Sequence, residues 1–164
     1  SDPQPHEPKP ITPHAALEMA REYFDEWYPS AIKFKRASDF LVSDNGLREA
    51  AFNLHQAAER LYNCVLLVCT FYSPHVHNLS SLRTQAERID PRLADAWPRE
   101  LKAERSKFEK LKEAYIKARY SKHYRITEEE LEWLGARVGE LASVVETVCS
   151  ERIGQLEETA RAAG

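Results

Sequence analysis

Residues 47–72 read LREAAFNLHQAAERLYNCVLLVCTFY, and their spacing decides the fold. Leu47, Ala50, Leu54, Ala57, Leu61, Val65, Val68 and Tyr72 recur every three to four residues, the period of one helical face. Only Glu49, Glu59 and Arg60 are charged between positions 49 and 72. A helix with so little charge has little to offer water, so the spacing predicts a central helix of a bundle. A polar stripe nevertheless runs along it: Asn53, Gln56, Arg60 and Asn63, with His55 and Glu59 beside it. Buried polar groups need partners, so this stripe is either bonded within the bundle or meets a ligand or a second subunit.

Helical spacing extends in both directions. Upstream, Thr12-Pro13 is an N-cap followed by proline at the first helical position. Leu17, Ala20, Phe24 and Trp27 follow on one face; Pro29 is expected to break or kink the segment, which resumes with Ile32, Ala37, Phe40 and Leu41. The turn cluster Ser43-Asp44-Asn45-Gly46 separates it from the central helix. Downstream of Ser73-Pro74, a short helix starts near Asn78 with Leu79, Leu82, Ala86 and Ile89 inward, and a single turn after Asp90-Pro91 leads to Trp97-Pro98. A fourth helix spans about Arg99–Ala118, with Leu101, Arg105, Phe108, Leu111, Tyr115 and Ala118 on one stripe. The fifth opens at Thr127-Glu128-Glu129-Glu130, a capping box in which the Thr hydroxyl accepts an orphan amide and Glu130 reaches back. Leu131, Leu134, Val138, Leu141, Val145 and Val148 then form its seam. The expected architecture is therefore all-α, an antiparallel helical bundle of about five main helices. Residues 1–10, with four prolines, read as an extended linker suited to join an upstream domain; residues 11–153 form the helical domain and residues 154–164 a polar, fraying helical tail.

The chain's 164 residues make one domain's worth, and 43% hydrophobic with 30% charged residues is an ordinary globular balance. Three cysteines without CxxC or Cys/His pairing give neither a disulfide framework nor a zinc site, and their apolar neighbours suit buried free thiols in a reducing, cytoplasmic setting. The longest apolar run, Cys64–Tyr72, is too short to span a bilayer. The net charge of −3 announces no polyanion partner, but its distribution does more. Residues 99–125 hold ten Lys/Arg against four Glu, and residues 126–164 hold nine Glu against three Arg. Either these are two solvated helix faces that attract each other, or a phosphate-attracting patch lies around Arg119–Arg125.

That patch falls in the loop Ala118-Arg119-Tyr120-Ser121-Lys122-His123-Tyr124-Arg125-Ile126, beside the amino end of the fifth helix. A helix N-terminus offers unpaired N–H groups, arginine supplies a planar fork for phosphate, and tyrosines supply stacking faces for bases. The competing possibility is that Arg119 and Arg125 pair with the glutamates at 128–132 while the tyrosines cap the core. His75 and His77 flank Val76, but no carboxylate or further histidine lies near in sequence, so no metal is expected there and His77-Asn78-Leu79 reads as a helix cap. No phosphate-loop, dinucleotide, GxSxG or HExxH pattern occurs, and no cofactor is expected.

Three segments resemble one family. Ala50–Tyr62 (AAFNLHQAAERLY) resembles the "AxFxxHQAAEKxxK" second helix of HEPN domains. Tyr72–Leu79 (YSPHVHNL) resembles the family's "PxTHDL" connector, and Ala114–Tyr120 (AYIKARY) its "YxxARYP" helix end. They follow the family's order, and with the flanking helices the resemblance covers about residues 15–153. The branch is most similar to HEPN domains fused behind a small nucleotidyltransferase, a substrate-binding-subunit-like bundle. The resemblance implies a homodimer with nucleotide or RNA business at the dimer cleft, and many members are RNases of toxin–antitoxin, CRISPR or abortive-infection systems. It thus implies a nucleotide- or RNA-binding, dimerising module, accessory to a fused or partner nucleotidyltransferase. Gln56, Lys117, Arg119, Tyr120, His123 and Arg125 would be its binding residues, with no membrane and no DNA-specific signal. The alternative it implies is a metal-independent endoribonuclease using Arg119 and His123. The family's nucleases place four to six residues between the two; here only three intervene. Arg48 and His55 have the family spacing but sit on the second helix, where the pair reads as coincidence.

Overall fold

The computed structural model describes residues 10–164; residues 1–9, most of the expected linker, lie outside the described residues. Five helices follow one another: α1 (Pro13–Ser43), α2 (Leu47–Thr70), α3 (Leu79–Ile89), α4 (Lys102–Tyr120) and α5 (Glu128–Ala162). A 3-10 turn, Pro91–Ala96, sits between α3 and α4, and no strand occurs among the described residues. The bundle is all-α, as the spacing predicts.

α2 is the hub. It packs most extensively on α1, and also against α5, α4 and α3. The reason is in its side chains: Ala50, Ala51, Ala57 and Ala58 are fully buried, as are Ala20 and Ala31 of α1. Small residues at a helix crossing let the two axes approach closely. Leu54, Leu61, Tyr62 and Val65 fill the remaining faces, each large one contributing roughly 1.5–3 kcal/mol by leaving water. Tyr62 does so without orphaning its hydroxyl, which accepts from Trp97 Nε1 at 2.7 Å.

The helix boundaries have local causes. Thr12 Oγ1 accepts from Ala15 N at 3.1 Å and Pro13 starts α1. Asn78 Oδ1 accepts from Ser81 N at 3.1 Å to cap α3. The capping box of α5 is complete: Glu130 N donates to Thr127 Oγ1 and Thr127 N to Glu130 Oε1, both at 3.0 Å. Phe71 closes α2 in the left-handed region with φ 61°.

Four expectations need correction. α1 runs unbroken through Pro29, which lies on the exposed face; there the carbonyl that loses its partner can be hydrated, and packing on α2 and α5 holds the helix together. Tyr72 lies beyond the end of α2 and Phe40 near the end of α1, and both are exposed rather than inward. Leu101 and Arg105, placed on the inward stripe of α4, are exposed: the helix begins only at Lys102, and Arg105 near its start donates outward to the carbonyls of Arg99 and Glu100. The polar tail is not a fringe: α5 continues to Ala162, with Leu156 and Ala160 buried.

The basic and acidic helices barely touch, since α4 packs on α2 and α5 packs on α1 and α2. One pair, Lys110–Glu130 at 2.8 Å, joins them. All three cysteines are free, Cys64 and Cys149 buried and Cys69 half-buried. Burial pushes the Cys69 thiol up to about 12. Among the described residues, no helix is long and apolar enough to cross a membrane.

Candidate functional site

The loop that follows α4 is fastened from below by a residue of α2. Arg48 spreads its guanidinium under the carboxyl end of α4: Nη2 donates to Ser121 O at 2.5 Å and Nε to Ala118 O at 3.2 Å. Longer contacts reach Tyr124 O and Lys117 O. A cation at a helix C-terminus meets both the orphan carbonyls and the negative end of the dipole. Tyr124 and Ile126 then plug the core, and the Tyr124 hydroxyl donates to Lys110 O at 2.9 Å. Burial, with Glu113 and Glu130 adding to it, pushes the Tyr124 phenol up, so it stays protonated. Although burial opposes it, the hydrogen bond from Lys110 and those from Thr127 hold Glu130 below the usual carboxylate range.

With its base fixed, the loop presents cations outward. Arg119 makes no ion pair with a carboxylate among the described residues. Its Nε donates to Tyr115 O at 2.8 Å, and its guanidinium sits 4.7 Å from the ring centres of Phe52 and Tyr115 and 4.9 Å from that of Tyr120. Arg125 likewise meets only carbonyls, those of Lys122 and Tyr124. The glutamates at 128–132 therefore do not hold either arginine; Glu130 is spent on Lys110 and the cap. Tyr120, the last residue of α4 and not part of the loop as expected, is 74% exposed, so of the two tyrosines only Tyr124 caps the core.

The six sequence-predicted residues divide among three places. Lys117, His123 and Arg125 line a groove of about 350 Å³ with Lys110, Glu113 and Ser121. Lys117 also pairs with Glu113 at 3.3 Å, an exposed contact that water largely screens. Gln56 lies elsewhere, in a cleft bounded by α1, α2 and the connector between α2 and α3. Arg119 and Tyr120 stand on the aromatic face that reaches back to Phe52 of α2. Within one chain, then, the guanidinium of Arg119 and the ring of His123 do not line the same groove.

Sequence reading did not see what links these places. His77 Nδ1 lies 2.8 Å from Glu59 Oε1, and its ring stacks on Tyr115, whose other contacts are His55, Phe52 and Arg119. His55 is fully buried, and its Nδ1–H donates to Gln56 Oε1 at 3.3 Å, leaving Nε2 without a partner. Burial lowers the His55 pKa to about 4, with the charges of His77 and Arg119 lowering it further and the Gln56 bond opposing, so the ring is neutral at pH 7. Its 3.6 Å approach to Glu59 is accordingly not an ion pair. The stripe on α2 is thus divided: Asn53 and Asn63 bond within the bundle, to the carbonyls of Glu49 and Glu59 and the hydroxyl of Ser73, while Gln56, Glu59 and Arg60 face the cleft, whose wall Asn63 also joins. The available signal was the i, i+4 pair His55/Glu59 and the connector histidines; their meeting with α4 is long-range. No group of three or more His, Cys, Asp or Glu residues suited to a metal comes together among the described residues.

A family model described as HEPN domain matches residues 24–148. The chain belongs to the HEPN domain family. No curated protein matches it. The match takes in most of α1, the whole of α2 to α4, and α5 as far as Val148, so every predicted site residue lies inside the HEPN domain.

Proposed function

We propose that this HEPN domain is a nucleotide- or RNA-binding module that dimerises and serves a nucleotidyltransferase, fused upstream or encoded as a partner. One observation carries the binding part: Arg119 and Arg125 are exposed, close together in the chain and, among the described residues, engaged only by carbonyls and aromatic rings. A guanidinium spent on a carboxylate has little left for phosphate; these two keep their forks. Tyr120 beside Arg119 gives a base a stacking face. Ile116 and Tyr120, one turn apart on α4 and both largely exposed, support a protein-facing surface at the same end of the domain. The nucleotidyltransferase part rests on the three ordered motifs. Gln56 enters this reading from its own cleft.

The experiment is fluorescence anisotropy with a labelled single-stranded RNA and with ATP and GTP analogues. The pair of changes Arg119→Ala and Arg125→Ala should weaken binding at least tenfold while the melting temperature holds. Binding that ignores both changes overturns the reading. The same RNA incubated in EDTA tests the endoribonuclease alternative: cleavage lost on Arg119→Ala and on His123→Ala would replace the binding module with an enzyme. Sedimentation of the intact chain reads the dimer.

A further inference from the structure

We propose that the cleft bounded by α1, α2 and the connector is a binding site for a phosphate oxyanion, distinct from the groove at the α4–α5 loop. The cleft encloses about 300 Å³, and none of its walls comes from that loop. Its centre is Arg60. The guanidinium lies 5.3 Å from the ring centre of Trp27 and 5.0 Å from that of Phe34. No carboxylate pairs with it among the described residues, and its buried Nε has no hydrogen-bond partner. A guanidinium stacked by its faces keeps its N–H groups in the plane, where an oxyanion can take two of them.

The one acid in the cleft does not quench this charge. Glu59 turns Oε1 to His77 Nδ1 at 2.8 Å, and its buried Oε2, 3.6 Å from the neutral His55, has no hydrogen-bond partner. Gln56 spends its carbonyl on His55, so the amide NH2 remains to donate. His77 donates Nδ1–H to Glu59, so in the neutral ring its Nε2 is an acceptor. His75, also on the wall, is held at φ 52°, a conformation that a non-glycine residue keeps only when its surroundings impose it. The uncommitted donors around Arg60 are thus its own N–H groups and the Gln56 amide, with Glu59 Oε2 and His77 Nε2 as acceptors beside them. Inorganic phosphate offers acceptor oxygens pointing several ways to those donors and, near neutral pH, an O–H to an acceptor beside them. The inference does not depend on Arg119 or Arg125.

The test uses the whole chain and inorganic phosphate, by calorimetry and by thermal shift against chloride at equal ionic strength. Phosphate should raise the melting temperature, because a ligand that binds only the folded state stabilises it. Arg60→Leu, which keeps bulk between the two rings, should weaken phosphate binding at least tenfold; Arg60→Lys, with charge but no fork, should fall between. Gln56→Ala should weaken it several-fold and carries the test if Arg60→Leu does not fold. Adenosine 5′-monophosphate forms a second arm. Equal affinity means the bare phosphate group is recognised, tighter binding means more of a nucleotide is held, and either must fail with Arg60→Leu. The proposal is overturned if phosphate gives no specific shift at tens of millimolar. It is also overturned if binding survives Arg60→Leu and Gln56→Ala, or is abolished by Arg119→Ala with Arg125→Ala. The loop reading, tested by RNA binding, stands or falls separately.

Discussion

The imidazole of His77 lies nearly flat on the ring of Tyr115, with 4.4 Å between ring centres and 14° between planes. The contact ties the connector to α4 across a long stretch of sequence, and Glu59 steadies the imidazole from α2. A double-mutant cycle on His77→Ala and Tyr115→Ala should give a coupling of about 0.5–1.5 kcal/mol, the usual worth of such a pair. Hydrogen exchange of residues 72–78 should rise in either single variant. Additive stabilities, with unchanged exchange, would mean that the two rings only lie near each other.

Arg48 is the anchor of the candidate nucleotide loop. Arg48→Ala removes a cation from the carboxyl end of α4 together with its hydrogen bonds to carbonyls of the loop. The expected loss is about 1–2 kcal/mol in urea unfolding. RNA binding should weaken too, although Arg48 touches no ligand in the proposed arrangement, because the end of α4 bearing Arg119 and the loop bearing Arg125 lose their fixed base. Retained affinity with lowered stability would separate the anchor from function.

His55 should make the fold sensitive to mild acid. Its folded pKa of about 4 lies below its ordinary value of 6.5, so the unfolded chain binds the extra proton first. Stability from this group is therefore complete above pH 6.5 and is lost as pH falls from there toward 4. The shift corresponds to at most roughly 3 kcal/mol at the acid end. Urea midpoints from pH 7.5 to 4.5 should fall, and His55→Gln should flatten that slope while the carboxylate contribution remains. An equal slope in both proteins would show that His55 does not carry it.

The end of α5 belongs to the core. Leu156→Ala should cost about 2 kcal/mol, the low end for a buried leucine near a helix terminus. Glu157→Ala, which removes only the exposed pair with Arg21, should cost less than about 1 kcal/mol. Comparable small losses in thermal unfolding for both changes would return residues 154–164 to the role of a loose tail.

How much of this was legible depended on range. The seam of α5, the caps at Thr12, Asn78 and Thr127, and the burial of α2 follow from spacing within a few residues, and the sequence carries them openly. Pro29 misled because its penalty is local while the packing that overrides it comes from α2 and α5. Leu101 and Phe40 were assigned inward by period alone, and period does not say where a helix begins or where its neighbour stops. For the site, the cluster at 119–125 was visible because it is contiguous. That its arginines lean on aromatic rings and not on the following glutamates was not, since either arrangement satisfies the same string. Arg48 looked like half of a spurious motif because its partners lie some seventy residues away. Arg60 was noticed only as part of a stripe; Trp27 and Phe34, which make it a stacked and unpaired cation, lie on another helix.

The hydrogen bond from Trp97 to Tyr62 has an optical consequence. Trp97 is sealed in the core, whereas Trp27 and Trp133 are partly open, the first on the wall of the Arg60 cleft. An indole's emission follows the polarity around it, so the unlabelled protein carries a blue-emitting reporter of its interior and a separate, redder one at the cleft mouth. Quenching by iodide would reach Trp27 and Trp133 long before Trp97, and Trp133→Phe would leave Trp27 as the cleft's own reporter beside the buried one.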